Sequence, residues 1–346
     1  MPEDIDYKSF TYWYGCRASG KTDSSCSSIS SVPNPVDGSV FHLESVFQIG
    51  RLSPVAILWA ALPSSRGMAA QQVTIVVYHA LDATRADVHF AALRRRYNVV
   101  SLSDFLAARS SQTTESLPPK ALIITFDDGH RSNHALKSMI QTHRIPVTIF
   151  LCSGIVGTYR HHGWSHANDS AEAQALKALP DEQRVQALLR NGHADRREYE
   201  TRQSLSRDEL AEMKSVVDFQ SHTVFHPLLP ACSSETVRCE IGESREALER
   251  EHGLKIYARA YPNGHYSDRE VGLLQNPGYT CGLTSDPGFN DSKADPFRLR
   301  RVTLPDDAGV NEVIVKTSGL WAFLKVFGAK STTPRRHLLW FLEDAP

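Results

Sequence analysis

The run ALIITFDDG, residues 121–129, passes directly from an apolar, β-branched segment to two carboxylates and a glycine. Residues 121–126 read as a buried strand, and Gly129 as a turn where the chain can approach a ligand closely. Asp127 and Asp128, adjacent at a strand end, repel each other unless a cation or a proton sits between them. About a hundred residues later, His222-Thr223-Val224-Phe225-His226 sets two imidazoles four positions apart, a spacing that shares one face on a helical turn. One carboxylate and two histidines make three ligands, the number a hydrolytic metal site uses when it leaves a position open for water. The remaining carboxylate is then free to act as a base.

Outward from this run the chain alternates strand and helix patterns from residue 73 on, which predicts an α/β fold. Seven strands are expected near 73–79, 121–126, 146–151, 216–220, 256–261, 279–284 and 299–303. Helices are expected over 86–97, from a Ser103 cap through 108, and over 130–143 and 233–252. Ser206 to Glu209 and Ser267 to Glu270 read as capping boxes opening two more. Residues 157–203 form a polar, helical insertion, with a helix over 171–190. Residues 310–327 predict a helix whose apolar face (Val313, Leu320, Trp321, Leu324) packs on the domain.

TFDDG followed by His222-Thr223 and His226 closely resembles the pattern of the polysaccharide deacetylases (NodB-like, carbohydrate esterase family 4). The resemblance implies a distorted, incomplete (β/α) barrel of about seven parallel strands. It makes Asp127 the catalytic base and Asp128, His222 and His226 the ligands of a divalent metal, with zinc the default and cobalt or nickel alternatives. Tyr261-Pro262-Asn263-Gly264 is similar to the family's third motif, which implies that the Asn263 N–H binds the developing oxyanion and that Tyr261 and Pro262 line the substrate groove. That motif carries an arginine five residues before the proline. Tyr257 stands there, and Arg259 is out of register. The fourth motif is weak at 284–288, where its tryptophan is absent. The fifth, a C-terminal Leu-x-His that supplies the general acid, has no match. Circularly permuted members place that strand first with a Tyr-His at its end, as in Val76-Val77-Tyr78-His79, so His79 is the expected general acid. The implied function is de-N-acetylation of amino sugars in a glycan. O-acetyl ester or small-amide hydrolysis and a non-catalytic carbohydrate-binding barrel are the alternatives.

A second histidine pair at the same spacing, His162 and His166, has no carboxylate in its motif. It reads as loop histidines around a substrate-stacking or structural Trp164. The 346 residues divide into an extension, 1–70, expected to be loosely ordered, a deacetylase-like domain over 71–327, and a tail, 328–346. In the extension, residues 15–22 (GCRASGKT) fit the phosphate-binding loop pattern. That loop needs a following helix to hold phosphates, and the serine run with Pro33 that follows is poor helix material. Met68 stands just before the first strand, so a chain starting there is expected to fold. The 38 basic and 39 acidic residues nearly cancel, which gives no field for nucleic acid or an anionic membrane and leaves a neutral glycan acceptable. The six cysteines lack Cys-x-x-Cys spacing and read as buried or incidental thiols. No stretch reaches the roughly 20 apolar residues of a membrane span. Residues 1–7 do not resemble a signal peptide, and the compartment and oligomeric state stay open.

Overall fold

The computed structural model describes residues 72–111, 117–275 and 278–319. The extension with its phosphate-loop match, Met68, Cys16, Cys26, the apolar positions 320, 321 and 324, and the tail lie outside them. Within them the strands are β1 (Thr74–Tyr78), β2 (Asn98–Val99), β3 (Ala121–Phe126), β4 (Val147–Leu151), β5 (Asp218–Ser221), β6 (Ala258–Ala260), β7 (Cys281–Leu283) and β8 (Val302–Thr303). All pairings between them are parallel, in the order β7-β6-β5-β4-β3-β1-β8, with β2 added beside β3. The sheet curls into an incomplete (β/α) barrel, as expected. The seven expected strands are all present, and β2 is the additional one. The segment carrying β8 touches both edges. Val302 pairs with Val76 of β1, while Leu299 bridges to Leu283 of β7.

Strand alternation divides the core in two. On β1 and β3, Val76, Tyr78, Leu122, Ile124 and Phe126 face the surrounding helices. Val73, Ile75, Ala121 and Ile123 face the barrel interior together with Phe150, Ala258, Ala260 and Leu283. Leu102 and Phe105 join that interior cluster, so the short helix they belong to contributes to the inner core. Parallel strands covered on both sides are apolar on both faces, which is why ALIITF shows no polar alternation until Thr125 and Asp127 continue the inward phase.

The helices are α1 (Ala83–Arg96), α2 (Leu102–Ser110), α3 (Leu136–His143), α4 (Ser170–Lys177), α5 (Asp181–Arg190), α6 (Arg207–Met213), α7 (Ser234–His252), α8 (Asp268–Gln275) and α9 (Val310–Thr317). Several differ from the sequence reading. Asp82 accepts from the Arg85 N–H and starts α1 earlier than expected. Ser101, not Ser103, caps α2, in a capping box closed by Asp104. Residues 131–135 form a 3₁₀ turn before α3. The helix expected over 171–190 is two helices, broken where Pro180 precedes α5, since the residue before proline is pushed out of the helical region. The capping box at Ser206 and Glu209 forms as expected. Val313 on α9 is buried in the outer core. Cys152, Cys232 and Cys281 are buried and Cys239 is half-buried, none of them in a disulfide among the described residues. No helix of the described residues is long and apolar enough to cross a membrane.

Candidate active site

The C-terminal ends of β1, β3 and β5 bring the site together, as barrel architectures generally do. Asp127 follows β3 on the inward phase, and its N–H donates to the Tyr78 carbonyl at 3.0 Å. Asp128 then takes a left-handed conformation (φ 70°), followed by Gly129 at φ 65°. A Cβ on Gly129 would lie 2.6 Å from Leu151 Cδ2, so the turn requires glycine there. Residues 203–205, returning from the insertion, pin this turn through the Leu205 N–H to the Gly129 carbonyl at 2.9 Å.

β5 alternates in the same way. Ser221 faces outward to Ser244 on α7 at 2.9 Å, and His222 turns inward. The 222–226 segment is not the helical turn expected from its spacing. It is a loop with left-handed Thr223 (φ 74°) and His226 (φ 58°), and that backbone, not a shared helix face, brings the imidazoles together with ring centroids 4.8 Å apart. The Ser153 and Gly154 N–H groups donate to the Thr223 and Val224 carbonyls. A Cβ on Gly154 would meet the Phe225 ring at 2.6 Å.

His222 Nδ1 lies 2.9 Å from the Ala260 carbonyl, which can only accept, so the proton is on Nδ1 and the Nε2 lone pair is free. That Nε2 is 3.6 Å from Asp128 Oδ1, and His226 Nε2 is 3.5 Å from the same oxygen. Asp128 Oδ1 is buried without a hydrogen-bond partner. Burial holds His222 below its usual pKa and His226 down to about 3, against the pull of nearby carboxylates. The His222 lone pair and an orphaned carboxylate oxygen, 3.6 Å apart, repel unless a cation lies between them, and His226 Nε2 faces the same oxygen. Their ligand atoms fall within 4.8 Å of one another. The donor set therefore fits a borderline divalent ion such as zinc, with the Ala260 carbonyl orienting one ligand from behind.

Arg301 was not anticipated. Fully buried, it grips Asp127 with two parallel bonds, Nη1 to Oδ1 at 2.7 Å and Nη2 to Oδ2 at 2.8 Å. Its Nε donates to the Thr284 carbonyl, and its guanidinium lies over the Phe150 ring inside the barrel. Burial would raise the Asp127 pKa, but the Arg301 charge and the guanidinium hydrogen bonds outweigh it and hold the carboxyl below its usual range. The position is filled from the β8 segment. Arg259 faces the other way, donating to the Glu240 carbonyl on α7. Tyr257, at the motif's arginine position, hydrogen-bonds Asp218. The signal in the sequence was a charged residue on the inward phase of a short strand, two residues after buried Leu299.

His79 follows β1 level with Asp127, since Tyr78 and Phe126 are register partners. Its N–H and that of Ala80 donate to the Asp306 carboxylate, and its carbonyl accepts from Asn133. Asn263 is left-handed (φ 54°) and lines a pocket with Trp164, Phe225, His226 and Leu228. Tyr261 is fully buried and donates to the Phe297 carbonyl, and Pro262 is buried beside it. The Tyr261 ring therefore belongs to the core and not, as expected, to a groove lining. Trp164 is 45% exposed and stacks on His162. His162 is fully buried with an orphaned Nδ1, and one of its ring nitrogens lies within 4.8 Å of Asp128 and Cys152 ligand atoms. Its partner in spacing, His166, instead packs on His161, His193 and Tyr199.

Residues 114–282 match the family described as polysaccharide deacetylase. YxkH of Bacillus subtilis strain 168, classed as a polysaccharide deacetylase, is 21% identical over 53% of this chain, and the match spans about half (51%) of its own length. Among solved structures, the Streptococcus pyogenes deacetylase PplD in complex with acetate superposes with a TM-score of 0.53 at 19% identity, over 71% of this chain and 98% of PplD. IcaB from Ammonifex degensii gives 0.53 at 17% identity, over 72% and 97%. These structural likenesses speak to the fold.

Proposed function

We propose that this chain, whose residues 114–282 match the polysaccharide deacetylase family, is a metal-dependent hydrolase that removes N-acetyl groups from amino sugars in a glycan. The observation that carries the reading is the orphaned, buried Asp128 oxygen facing two imidazole Nε2 atoms at 3.5–3.6 Å. Asp128, His222 and His226 would hold the cation, zinc by donor type. When bound, such an ion supplies Lewis acidity and lowers the pKa of a water in its open position toward about 7.

The chain's own residues do the rest. Asp127, kept ionised by Arg301, takes a proton from the water as its oxygen bonds to the acetyl carbon. The Asn263 N–H is assigned to the oxygen that gains charge as the carbonyl opens, where a fixed donor is most effective. His79, at the end of the neighbouring strand and level with Asp127, is assigned to protonate the amine as the carbon–nitrogen bond breaks, leaving acetate and a free amino sugar. Trp164, exposed at the pocket edge, offers an aromatic face to a sugar ring.

The test is acetate release from N-acetylated chito-oligosaccharides, O-acetylated glycans and small N-acyl amides, before and after chelation and zinc restoration. Chelator-sensitive, zinc-restored release from the chito-oligosaccharides is expected. Release that survives complete removal of metal would overturn the reading. Activity confined to the esters would move the substrate to O-acetyl groups.

A further inference from the structure

The loop that carries His226 is held from outside the barrel by one face of α7. Glu240 is 5% exposed, and its Oε2 accepts from both the Val224 and Phe225 N–H groups, at 2.8 and 3.1 Å. One turn on, Ser244 Oγ donates to the Thr223 carbonyl at 2.9 Å and lies 2.9 Å from Ser221 Oγ. Positions four apart on a helix share a face, so both side chains reach the same strip of backbone. That strip spans Thr223 to Phe225, between the two imidazoles. Two of its residues and neighbours, Thr223 and His226, lie in the left-handed region, a conformation that for non-glycine residues persists only when its surroundings over-determine it. Beside it, the buried Arg259 guanidinium donates to the Glu240 backbone carbonyl at 3.2 Å, fixing the helix at the point from which the carboxylate projects.

We infer that Glu240 is a positioning residue for the metal centre: its carboxylate, with Ser244 beneath it, sets the strained 222–226 loop so that His226 Nε2 meets the ion already aimed. A charged acceptor holding two N–H groups is stronger than a neutral one. The two donors it satisfies lie in part-buried backbone and would otherwise lose their acceptor, which disfavours this loop conformation. Freed of the carboxylate, the loop relaxes toward ordinary φ values and carries His226 away from Asp128. The inference rests on the reading of Asp128, His222 and His226 as ligands.

The test is zinc affinity, by competition with a chromophoric chelator, for the full chain and for Glu240→Gln, Glu240→Ala, Ser244→Ala and the exposed same-helix control Glu243→Gln. Visible spectra of the cobalt-substituted proteins are recorded alongside. Outer contacts that orient ligands are worth about 10–100-fold in metal affinity. Glu240→Ala is expected to weaken zinc by that much, and Glu240→Gln, which keeps a neutral acceptor, by less. The cobalt spectrum should change for both, with Glu243→Gln unchanged throughout. A parent chain that binds no zinc would remove the ligand reading itself. A parent that binds zinc with Glu240→Gln and Glu240→Ala equal to it in affinity and spectrum would overturn this inference alone. If both Glu240 variants lose their far-UV circular dichroism, Ser244→Ala decides, and an unchanged affinity there overturns the inference.

Discussion

His222 with His226, and His162 with His166, are two histidine pairs of identical spacing, and the fold treats them in opposite ways. The first pair converges on one carboxylate oxygen because its backbone is bent and fastened. Two left-handed residues, the Ala260 carbonyl and the carboxylate of Glu240 all fix where the rings go. The second pair is split. His162 turns inward to a fully buried position near Asp128, and His166 joins a ring stack with His161, His193 and Tyr199 on the insertion. A shared spacing makes a site only where a carboxylate is delivered to meet it and the backbone is held against its own preference.

The contrast can be broken or sharpened by substitution. The largest effect is expected for His226→Ala, which should abolish tight zinc binding and with it acetate release; equilibrium dialysis with metal analysis checks this. Asp127→Asn should lower turnover by about 10³-fold, within the 10²–10⁴ range for a positioned base, while zinc stays bound, separating the two adjacent carboxylates by role. His79→Ala should cut turnover by about 10²-fold, again with metal retained, and unchanged turnover would remove it from the mechanism. Arg301→Lys keeps the charge but loses the two-pronged grip, and turnover should fall by about tenfold, an order of magnitude typical of lost orientation. Arg301 holds Asp127 below its usual pKa, so weakening it raises that pKa, and the acid limb of the pH–turnover profile should move to higher pH. Movement to lower pH would contradict the assigned pairing. The smallest effect belongs to His166→Ala, which should leave zinc affinity unchanged. Loss of metal there would erase the distinction between the pairs.

Much of this was legible in the sequence, and the exceptions have physical causes. β1, β3 and β4 announce themselves because buried parallel strands are apolar on both faces, and Ser206 with Glu209 states its cap outright. Asp127, Asp128, His222 and His226 could be paired because motif order carries information that spacing alone does not. The loop conformation at 222–226 could not be read, since Thr223 at φ 74° is imposed by tertiary contacts against its own preference. Arg301 was hidden for a different reason. In the run FRLRR three arginines look alike, and only strand phase buries the last while Arg298 and Arg300 serve the surface side. The Tyr261 ring was misplaced because a motif gives a position and not the direction of its side chain.

The Asp127–Arg301 grip spans 174 residues of chain. As the protein emerges from the ribosome, Asp128, His222 and His226, the side chains proposed to hold the ion, are all made well before residue 301 appears. Until then the Asp127 carboxylate has no guanidinium opposite it, and burial alone would favour its protonated form. On the proposed roles, the ion's ligands and the partner that keeps the base ionised would thus be supplied at different moments of synthesis.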